Sequence, residues 1–337
     1  MSCLFNTETN TTEFETIKTY RIEFEDLLKR MCPQLVVVET CSITGWVHDL
    51  CVKQGYEVLV ADSSQDAWRW KNVKRKTDKD DALKLAKLAA LKQINSVYVP
   101  APEARQYRHF VKYRKVVVGR INRVQNTIRA LFDQQGVKMP QGHRAWTVQG
   151  IEELSQHRRS LTDCDMNNLW RGELDLELTM LDQLWEHLAS IEQQLEALAK
   201  QEERVQLLQT IPGVGRRTAE VIVTCLDEPK RFGNVRQVAA YGGLIPQQHQ
   251  SGQTNRLGKI TKRGSRLLRT ALVEVAWAML RYNEWAAATY ARICGGQKTR
   301  KKTAIVAVAR KLLMRCWAML LHNEPWKPEL AQPVTEA

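Results

Sequence analysis

The chain has 337 residues, and its 50 Lys and Arg outweigh its 37 Asp and Glu, which gives a formal net charge of +13. The length suffices for two domains and a connector, and the composition is that of a globular protein. No stretch of about 18 uncharged apolar residues occurs, which excludes a membrane-spanning helix. The eight cysteines form no metal-binding pattern. Because the N-terminus also lacks a secretory signal, we expect free, reduced thiols.

The positive charge is concentrated in two blocks. Residues 66–130 contain 17 basic and 5 acidic residues, and residues 229–320 contain 18 basic and 2 acidic residues. The rest of the chain is acidic, with a net charge of −15. Basic blocks of this size indicate a polyanionic partner. The alternative is the solvated surface of a protein that is merely basic.

The first 65 residues are typical of an α/β fold. Short strands are predicted over Cys3–Phe5 and Phe14–Ile17, and helices over Glu23–Met31 and Gly45–Gln54. The apolar run Leu35–Val38 predicts a strand that is buried on both faces. A second buried strand is predicted over Tyr56–Ala61. The strand–helix–strand order predicts that these last two strands are parallel.

The middle of the chain is predicted to be largely helical. Residues 76–92 have the pattern of an amphipathic helix, and residues 103–135 that of one long basic helix, followed by an irregular segment over 137–168. Heptad positions are then held by Leu181, Leu184, Leu188, Ile191, Leu195, Leu198 and Val205. This pattern predicts a coiled coil, which we interpret as a contact with another subunit or domain. The alternative is a helix that packs on its own domain.

Three carboxylates are candidate metal ligands. Glu39 ends a predicted buried strand, at the sheet edge where α/β proteins gather ligands. Asp78 and Asp81 are three residues apart at the start of a helix and therefore share one face. Oxygen ligands without His or Cys suit Mg²⁺ or Mn²⁺. The alternative is that Asp78, Asp80 and Asp81 only cap the helix.

Ser251, in the second basic block, is a candidate nucleophile. It lies among poor helix formers, and the cations that follow it could stabilise a phosphoryl-transfer transition state: Arg256, Lys259, Lys262, Arg263, Arg266 and Arg269. Their spacing places most of them along one flank of a helix start. His249 is close in sequence, which does not by itself make it a base. The alternative is a serine in the loop of a DNA-binding turn.

The segment Ile211–Gly215, between two predicted helices, resembles a helix-hairpin-helix motif. Gly213 and Gly215 would let the backbone approach a phosphate, which the free N–H groups of the next helix would bind. The alternative is a tight glycine-rich connection. Further helices are predicted over 218–225, 265–282 and 303–321, so the C-terminal part is expected to be mainly helical.

Taken together, these motifs resemble the transposases of the insertion sequence one-ten family, the DEDD transposases. The resemblance covers nearly the whole chain. It is carried by VVVETCSITGW (36–46), KRKTDKDDALKLAKLA (74–89), LLQTIPGVGRRTAEVIV (207–223), RFGNVRQVAAYGGLIPQQHQSG (231–252) and GKITKRGSRLLRTALVEVAWAML (258–280).

The resemblance implies a domain organisation and a set of site residues. It implies a RuvC-like, ribonuclease-H-type α/β domain over 1–135, a helical coiled-coil connector over 136–206, a mainly α C-terminal serine transposase domain over 207–325, and a tail over 326–337. Glu39, Asp78 and Asp81 match metal-binding acids of the family, and Ser251 matches its nucleophile. Nucleic acid would be bound by the hairpin glycines, by the cations after Ser251, and by Lys74, Arg75 and Lys76.

The resemblance also implies an activity and partners. Family members are recombinases of mobile elements that cut and rejoin DNA in transposition, guided by a structured RNA. The resemblance further implies Mg²⁺ or Mn²⁺ as cofactor. It also implies a homodimer or homotetramer that forms through the coiled coil, in which domains of different subunits share one site. It places the protein with the nucleoid in a prokaryotic cytoplasm. The alternatives are a metal-dependent RuvC-like nuclease and an impaired remnant that only binds nucleic acid.

The start of the chain departs from the family pattern. The family has an Asp on a first strand, shortly before the segment that Cys3–Phe5 resembles, whereas no Asp precedes Asp26 here. We expect this strand and one metal ligand to be absent, through either a start codon assigned too late or decay of the element. Two strand edges would then be exposed.

Overall fold

The structure, a computed structural model, describes residues 1–62, 77–251 and 254–328. The chain divides into two compact units, Met1–Glu103 and Ala104–Ala337. This structural division falls after Glu103, because the long helix that follows buries its apolar stripe in the second unit. The functional domain boundary after residue 135 stays a prediction. Lys74, Arg75 and Lys76, predicted to bind nucleic acid, lie outside the described residues.

The first unit has an α/β architecture. Its elements are β1 (Ser2–Phe5), β2 (Thr12–Glu15), α1 (Arg21–Met31), β3 (Leu35–Glu39), α2 (Thr44–Lys53), β4 (Glu57–Ala61) and α3 (Asp78–Ala90). β1 and β2 form an antiparallel pair, and β3 and β4 form a separate parallel pair in which Glu39 lies opposite Ala61. The predicted parallel pairing of β3 with β4 is therefore confirmed.

Helices cover both faces of the β3–β4 pair. Alternate residues of the strands point to opposite faces. Val36, Val38 and Val58 pack with residues of α1 and α2, whereas Leu35, Val37 and Leu59 pack with residues of α3. Every residue of β3 nevertheless remains partly exposed, so the predicted full burial of this strand is wrong. Among the described strands β3 has a single hydrogen-bonded neighbour, β4, and its other edge stays open.

The second unit is mainly helical. Its elements are α4 (Pro102–Gln135), α5 (Val148–Ser155), α6 (Leu169–Gln201), α7 (Glu203–Gln209), α8 (Arg216–Leu226), α9 (Val235–Tyr241), β5 (Pro246–Ser251), β6 (Thr254–Ile260), α10 (Arg266–Met279), α11 (Glu284–Cys294) and α12 (Lys301–His322). The helical expectation is met, except that β5 and β6 form an antiparallel hairpin where a loop was predicted. The segment predicted to be irregular contains α5.

The two longest helices, α4 and α6, form an antiparallel pair inside the chain. At one end the Phe132 and Trp170 rings meet with centroids 6.0 Å apart, and at the other Arg114 Nε donates to Glu192 Oε1 over 2.8 Å. The predicted heptad stripe is buried in the core that α6 shares with α4; Leu195, for example, has no exposed surface. The stripe therefore packs on its own unit, which corrects the interpretation as a contact between subunits or domains.

The base of the β5–β6 hairpin is held by two glycines. Gly243 and Gly264 have positive φ angles of +64° and +79°, which residues with side chains rarely adopt. A Cβ atom on Gly243 would lie 2.0 Å from the Arg263 carbonyl oxygen, and one on Gly264 would lie 2.2 Å from the Tyr241 carbonyl oxygen. This close approach joins the end of α9 to the start of α10 and fixes where the hairpin leaves the helical core.

Candidate active site and nucleic-acid interface

Glu39 and Asp81 lie on facing surfaces of the first unit. Glu39 ends β3 and, by strand alternation, points to the same face as Leu35 and Val37, which pack against α3. Asp81 lies one turn before Leu85, a residue of α3 that packs on this face of the sheet. Both carboxylate residues are half-buried, whereas Asp78 is exposed. The topology thus directs two of the three predicted ligands toward one layer of the unit.

Capping of α3 accounts for Asp80 but not for its neighbours. Thr77 is the N-cap residue: its hydroxyl accepts from the Asp80 N–H over 3.2 Å, and its own N–H donates to Asp80 Oδ2 over 3.3 Å. This reciprocal pair is a capping box. The capping alternative is therefore correct for Asp80, and Asp78 and Asp81 remain candidate ligands.

The three predicted carboxylate ligands, all within the described part of the chain, are not gathered into one cluster. Among the described residues no group of three or more His, Cys, Asp or Glu side chains lies close enough to hold a metal ion, so Glu39, Asp78 and Asp81 do not form a three-ligand cluster. The donor set still fits a hard divalent cation, because it consists of carboxylate oxygens. Placement on facing surfaces supports Glu39 and Asp81 as a pair.

Ser251 is the exposed last residue of β5 and lies opposite Thr254 of β6. The segment around Ser251, predicted to be a loop, is therefore the end of a hairpin. His249 lies opposite Arg256. Since strand residues two apart and cross-strand partners share a face, Ser251, His249 and Arg256 point to one side of the hairpin. Among the described contacts no hydrogen bond joins His249 to Ser251, and a Cβ on Gly258 would lie 3.2 Å from His249 Nε2, so this ring packs on β6.

The six cations after Ser251 occupy three kinds of structure. Arg256 and Lys259 belong to β6, Lys262 and Arg263 to the following turn, and Arg266 and Arg269 to the first turns of α10. All except Arg269 are exposed. The prediction that most of them line one helix start is therefore wrong.

The backbone explains why the helix starts late. Lys262 and Gly264 have φ angles of +54° and +79°, which no helix accommodates, and Ser265 caps the helix by accepting from the Leu268 N–H over 3.3 Å. Arg269 is partly structural, because its Nη1 donates to the Arg263 carbonyl over 2.8 Å. The first turn of α10 contains no acidic residue to neutralise these cations.

The predicted helix-hairpin-helix connects α7 to α8. Gly213 has a φ of +92°, and a Cβ there would lie 2.9 Å from Met279 Cγ, so this glycine is required by the turn and its packing. Gly215 is exposed, begins α8 as its N-cap residue without a side-chain cap, and has open space around it. The start of α8 is therefore open to an anion.

A buried ionic network behind this turn was not predicted from the sequence. Glu220 is fully buried, and both its carboxylate oxygens accept from Arg217 Nη1 over 3.0 Å. Burial raises the pKa of Glu220 despite this guanidinium. Arg217 also donates to the Glu192 carbonyl, which ties α8 to α6. The only sequence signal is an Arg and a Glu three residues apart, a spacing common on solvated helix surfaces.

No helix in the described residues is long and apolar enough to cross a membrane, in agreement with the sequence analysis.

Two family profiles match the chain. Residues 1–136 match the profile of a DEDD transposase, DEDD_Tnp_IS110. Residues 205–291 match the profile described as transposase IS116/IS110/IS902 family. The matched segments contain Glu39, Asp78 and Asp81 in the first case and Ser251 in the second.

Several known proteins are similar to this chain over two thirds or more of their length. The chain is 28% identical to a probable family 20 transposase of Pseudomonas aeruginosa, over 91% of this chain and 90% of that protein. It is 29% identical to the transposase for insertion sequence element IS1111A of Coxiella burnetii, over 75% of this chain and 68% of that protein. It is 27% identical to the pilin gene-inverting protein of Moraxella bovis, over 75% of this chain and 69% of that protein. The chain belongs to the IS110/IS116/IS902 family of transposases.

Proposed function

We propose that this transposase cuts and rejoins DNA through a covalent intermediate on Ser251. The observation that carries the proposal is the position of Ser251 at the exposed end of a hairpin whose following residues are cationic. A hydroxyl in such surroundings can approach a phosphodiester without displacing the protein core. The names of the relatives, which include transposases and a gene-inverting protein, support a recombinase rather than a simple hydrolase.

The reaction proceeds in two balanced displacements. Ser251 Oγ attacks phosphorus, a bond forms between Oγ and phosphorus, and the bond to the leaving deoxyribose oxygen breaks. The serine proton is released to water, and the leaving oxygen takes up a proton. A free DNA hydroxyl then attacks the same phosphorus and displaces Oγ, which is reprotonated. The phosphoserine bond conserves the energy that rejoining needs.

The cations have a separate role from the nucleophile. Arg256 shares the face of Ser251, and Lys259 follows on the same strand. They stabilise the additional negative charge that develops on the phosphate oxygens in the transition state. Lys262, Arg263, Arg266 and Arg269, together with the exposed Gly215 turn beside Gly213, hold the flanking phosphates. Outside the described residues, Lys74, Arg75 and Lys76 are proposed to do the same.

A divalent ion is part of the proposal. Mg²⁺ or Mn²⁺, when bound, polarises the scissile phosphate. Glu39, Asp78 and Asp81 would hold it, and the carboxylate donor set and the facing positions of Glu39 and Asp81 support this assignment. Asp80 is excluded, because its carboxylate is engaged in capping α3.

A guide RNA and a homodimer or homotetramer complete the proposal. Residues 229–320 carry 18 basic and 2 acidic residues, a charge that suits more than one polyanion. The contact between subunits is assigned away from the heptad stripe of α6, since α4 already covers that stripe.

The experiment is the capture of a covalent protein–DNA adduct. The full chain is incubated with end-labelled DNA from both ends of its element and with transcripts of the flanking DNA, and then denatured. We expect a labelled adduct in wild type, none in Ser251→Ala, and an unchanged amount in the control Gln250→Ala on the opposite face of β5. DNA cleavage without an adduct would instead identify a nuclease in which water attacks. Binding with neither product would identify a remnant.

A further inference from the structure

We propose that Trp277 and Tyr290 form a stacking platform for an unpaired base of a nucleic acid, with the cationic segment 298–302 holding the neighbouring phosphates. The proposal rests on the proposed function only in taking nucleic acid as the ligand. It concerns a surface separate from Ser251 and the hairpin cations. The ligand is single-stranded nucleic acid, and RNA and DNA are distinguished by the test.

The first observation is an aromatic pair in which Trp277 is exposed and Tyr290 is half-buried. Trp277 on α10 and Tyr290 on α11 have ring centroids 5.9 Å apart with an angle of 56° between their planes. Trp277 is 43% exposed, and it is the only exposed tryptophan among the described residues. A tryptophan left in water at the surface of a folded unit forgoes the burial that stabilises other tryptophans. The exposed face of this ring is therefore available for stacking against a base.

The second observation is the charge next to this pair. Arg281 lies one helical turn after Trp277 and is exposed. After α11, four exposed cations occur within five residues: Lys298, Arg300, Lys301 and Lys302. None of them forms a salt bridge with a described residue. Arg300 is the N-cap residue of α12, and Lys301 and Lys302 are its first two residues; the first turn contains no acidic residue. Cations are disfavoured at a helix start, so an external anion would relieve this arrangement.

A chain of contacts connects the aromatic pair to the cations. Tyr290 and Cys294 lie four residues, about one helical turn, apart on α11. The Cys294 thiol in turn donates to the Gln297 carbonyl over 3.3 Å, and the same carbonyl accepts from the Arg300 N–H over 3.1 Å. The tyrosine side of the platform thus adjoins the short 3-10 turn Lys298–Arg300. Aromatic rings next to a row of cations are the combination that binds single strands, because bases stack while phosphates pair with the cations.

The nearest acidic side chain on the same helix does not oppose this assignment. Glu274 precedes Trp277 by one turn, but it lines a cleft of about 100 Å³ with Lys115 and Arg217. The cleft therefore places two cationic residues beside the part of α10 that carries Glu274. A duplex would not satisfy the platform, because paired bases keep their faces stacked inside the helix.

The test measures equilibrium binding in the full chain carrying Ser251→Ala, so that failure of the covalent chemistry cannot affect the result. Labelled oligonucleotides of mixed sequence are titrated as single-stranded RNA, single-stranded DNA and duplex DNA, with fluorescence anisotropy as the readout. We expect Trp277→Ala to weaken binding of at least one single strand by about fivefold or more. Trp277→Phe should stay within about twofold of the parent, because it keeps a stacking face. Tyr20→Ala, an exposed aromatic in the first unit, should have no effect.

A second, independent measurement tests the cationic segment. Replacing Lys301 and Lys302 by Gln should lower the slope of log affinity against log salt for the preferred single strand by about 0.7 per lost phosphate contact. The control Lys53→Gln should leave the slope unchanged. The single strand whose binding Trp277→Ala weakens, RNA or DNA, is the ligand of the platform. The proposal is overturned if Trp277→Ala weakens duplex as much as single strands, or changes single-strand binding by less than about fivefold.

Discussion

Replacing Gly264 by alanine tests whether the base of the β5–β6 hairpin positions Ser251. Gly264 has a φ of +79°, and a Cβ atom there would lie 2.2 Å from the Tyr241 carbonyl oxygen. The conformation alone costs an alanine about 1–2 kcal/mol. The contact is with backbone, so relief requires moving α9 or the start of α10, which adds about 1–3 kcal/mol as in overpacked cores. We expect a loss of unfolding free energy of about 2–5 kcal/mol.

Gly295 provides the matched control. Its φ is +55°, and nothing lies within 4 Å of the position of its Cβ. Gly295→Ala therefore carries the conformational strain without the clash, and we expect a loss of about 1–2 kcal/mol. The free energies of unfolding are measured by urea titration with tryptophan fluorescence. Folded Gly264→Ala should also form less covalent adduct than Gly295→Ala. Equal stability and equal adduct formation in the two variants would refute the reasoning.

Three further predictions address the coiled coil, the carboxylates and an ion pair. Leu195→Ala removes a fully buried side chain between α6 and α4, so urea titration should show a loss of about 2–5 kcal/mol, independent of protein concentration if the pairing is within the chain. Asp80→Ala should cost about 1 kcal/mol, because it removes the side-chain acceptor of the Thr77 N–H, without changing the Mg²⁺ concentration needed for adduct formation, whereas Asp81→Asn should raise that concentration severalfold. The Arg204 side chain, by hydrogen bonding, lowers the pKa of Glu202 below its ordinary value. Its stabilising effect is therefore present above that ordinary value and is lost as the pH falls through the folded-state pKa. Glu202→Gln should be less stable than wild type at neutral pH in urea titrations, and the difference should shrink in acid.

Local patterns in the sequence determined the strands of the first unit and the longer helices, with their approximate limits. The apolar run Leu35–Val38 predicted β3, and the helical pattern of basic residues over 103–135 predicted α4. Glycines predicted the turn before α8. These signals are short-range, because they reflect which face of an element is apolar and which residues permit a turn. The family resemblance also followed from residues that are close in sequence, and the family profiles confirmed it.

The partner of each apolar face was decided only by tertiary structure. The heptads of α6 show that the helix needs a partner, but a period of seven is the same whether that partner is another subunit or α4 of the same chain. Similarly, the sequence does not distinguish the roles of three aspartates at the start of one helix. Only the capping hydrogen bonds of Thr77 separate Asp80 from Asp78 and Asp81.

The surroundings of Ser251 show the same division. The sequence identified the serine and the cations after it, whereas the positive φ angles of Lys262 and Gly264 place those cations on a strand, a turn and a helix instead of on one helical face. The pair formed by Trp277 and Tyr290 had no signal, because the two residues are on different helices and meet only when α10 and α11 pack. Residue spacing determines neighbours along one element, and the packing of elements determines neighbours across space.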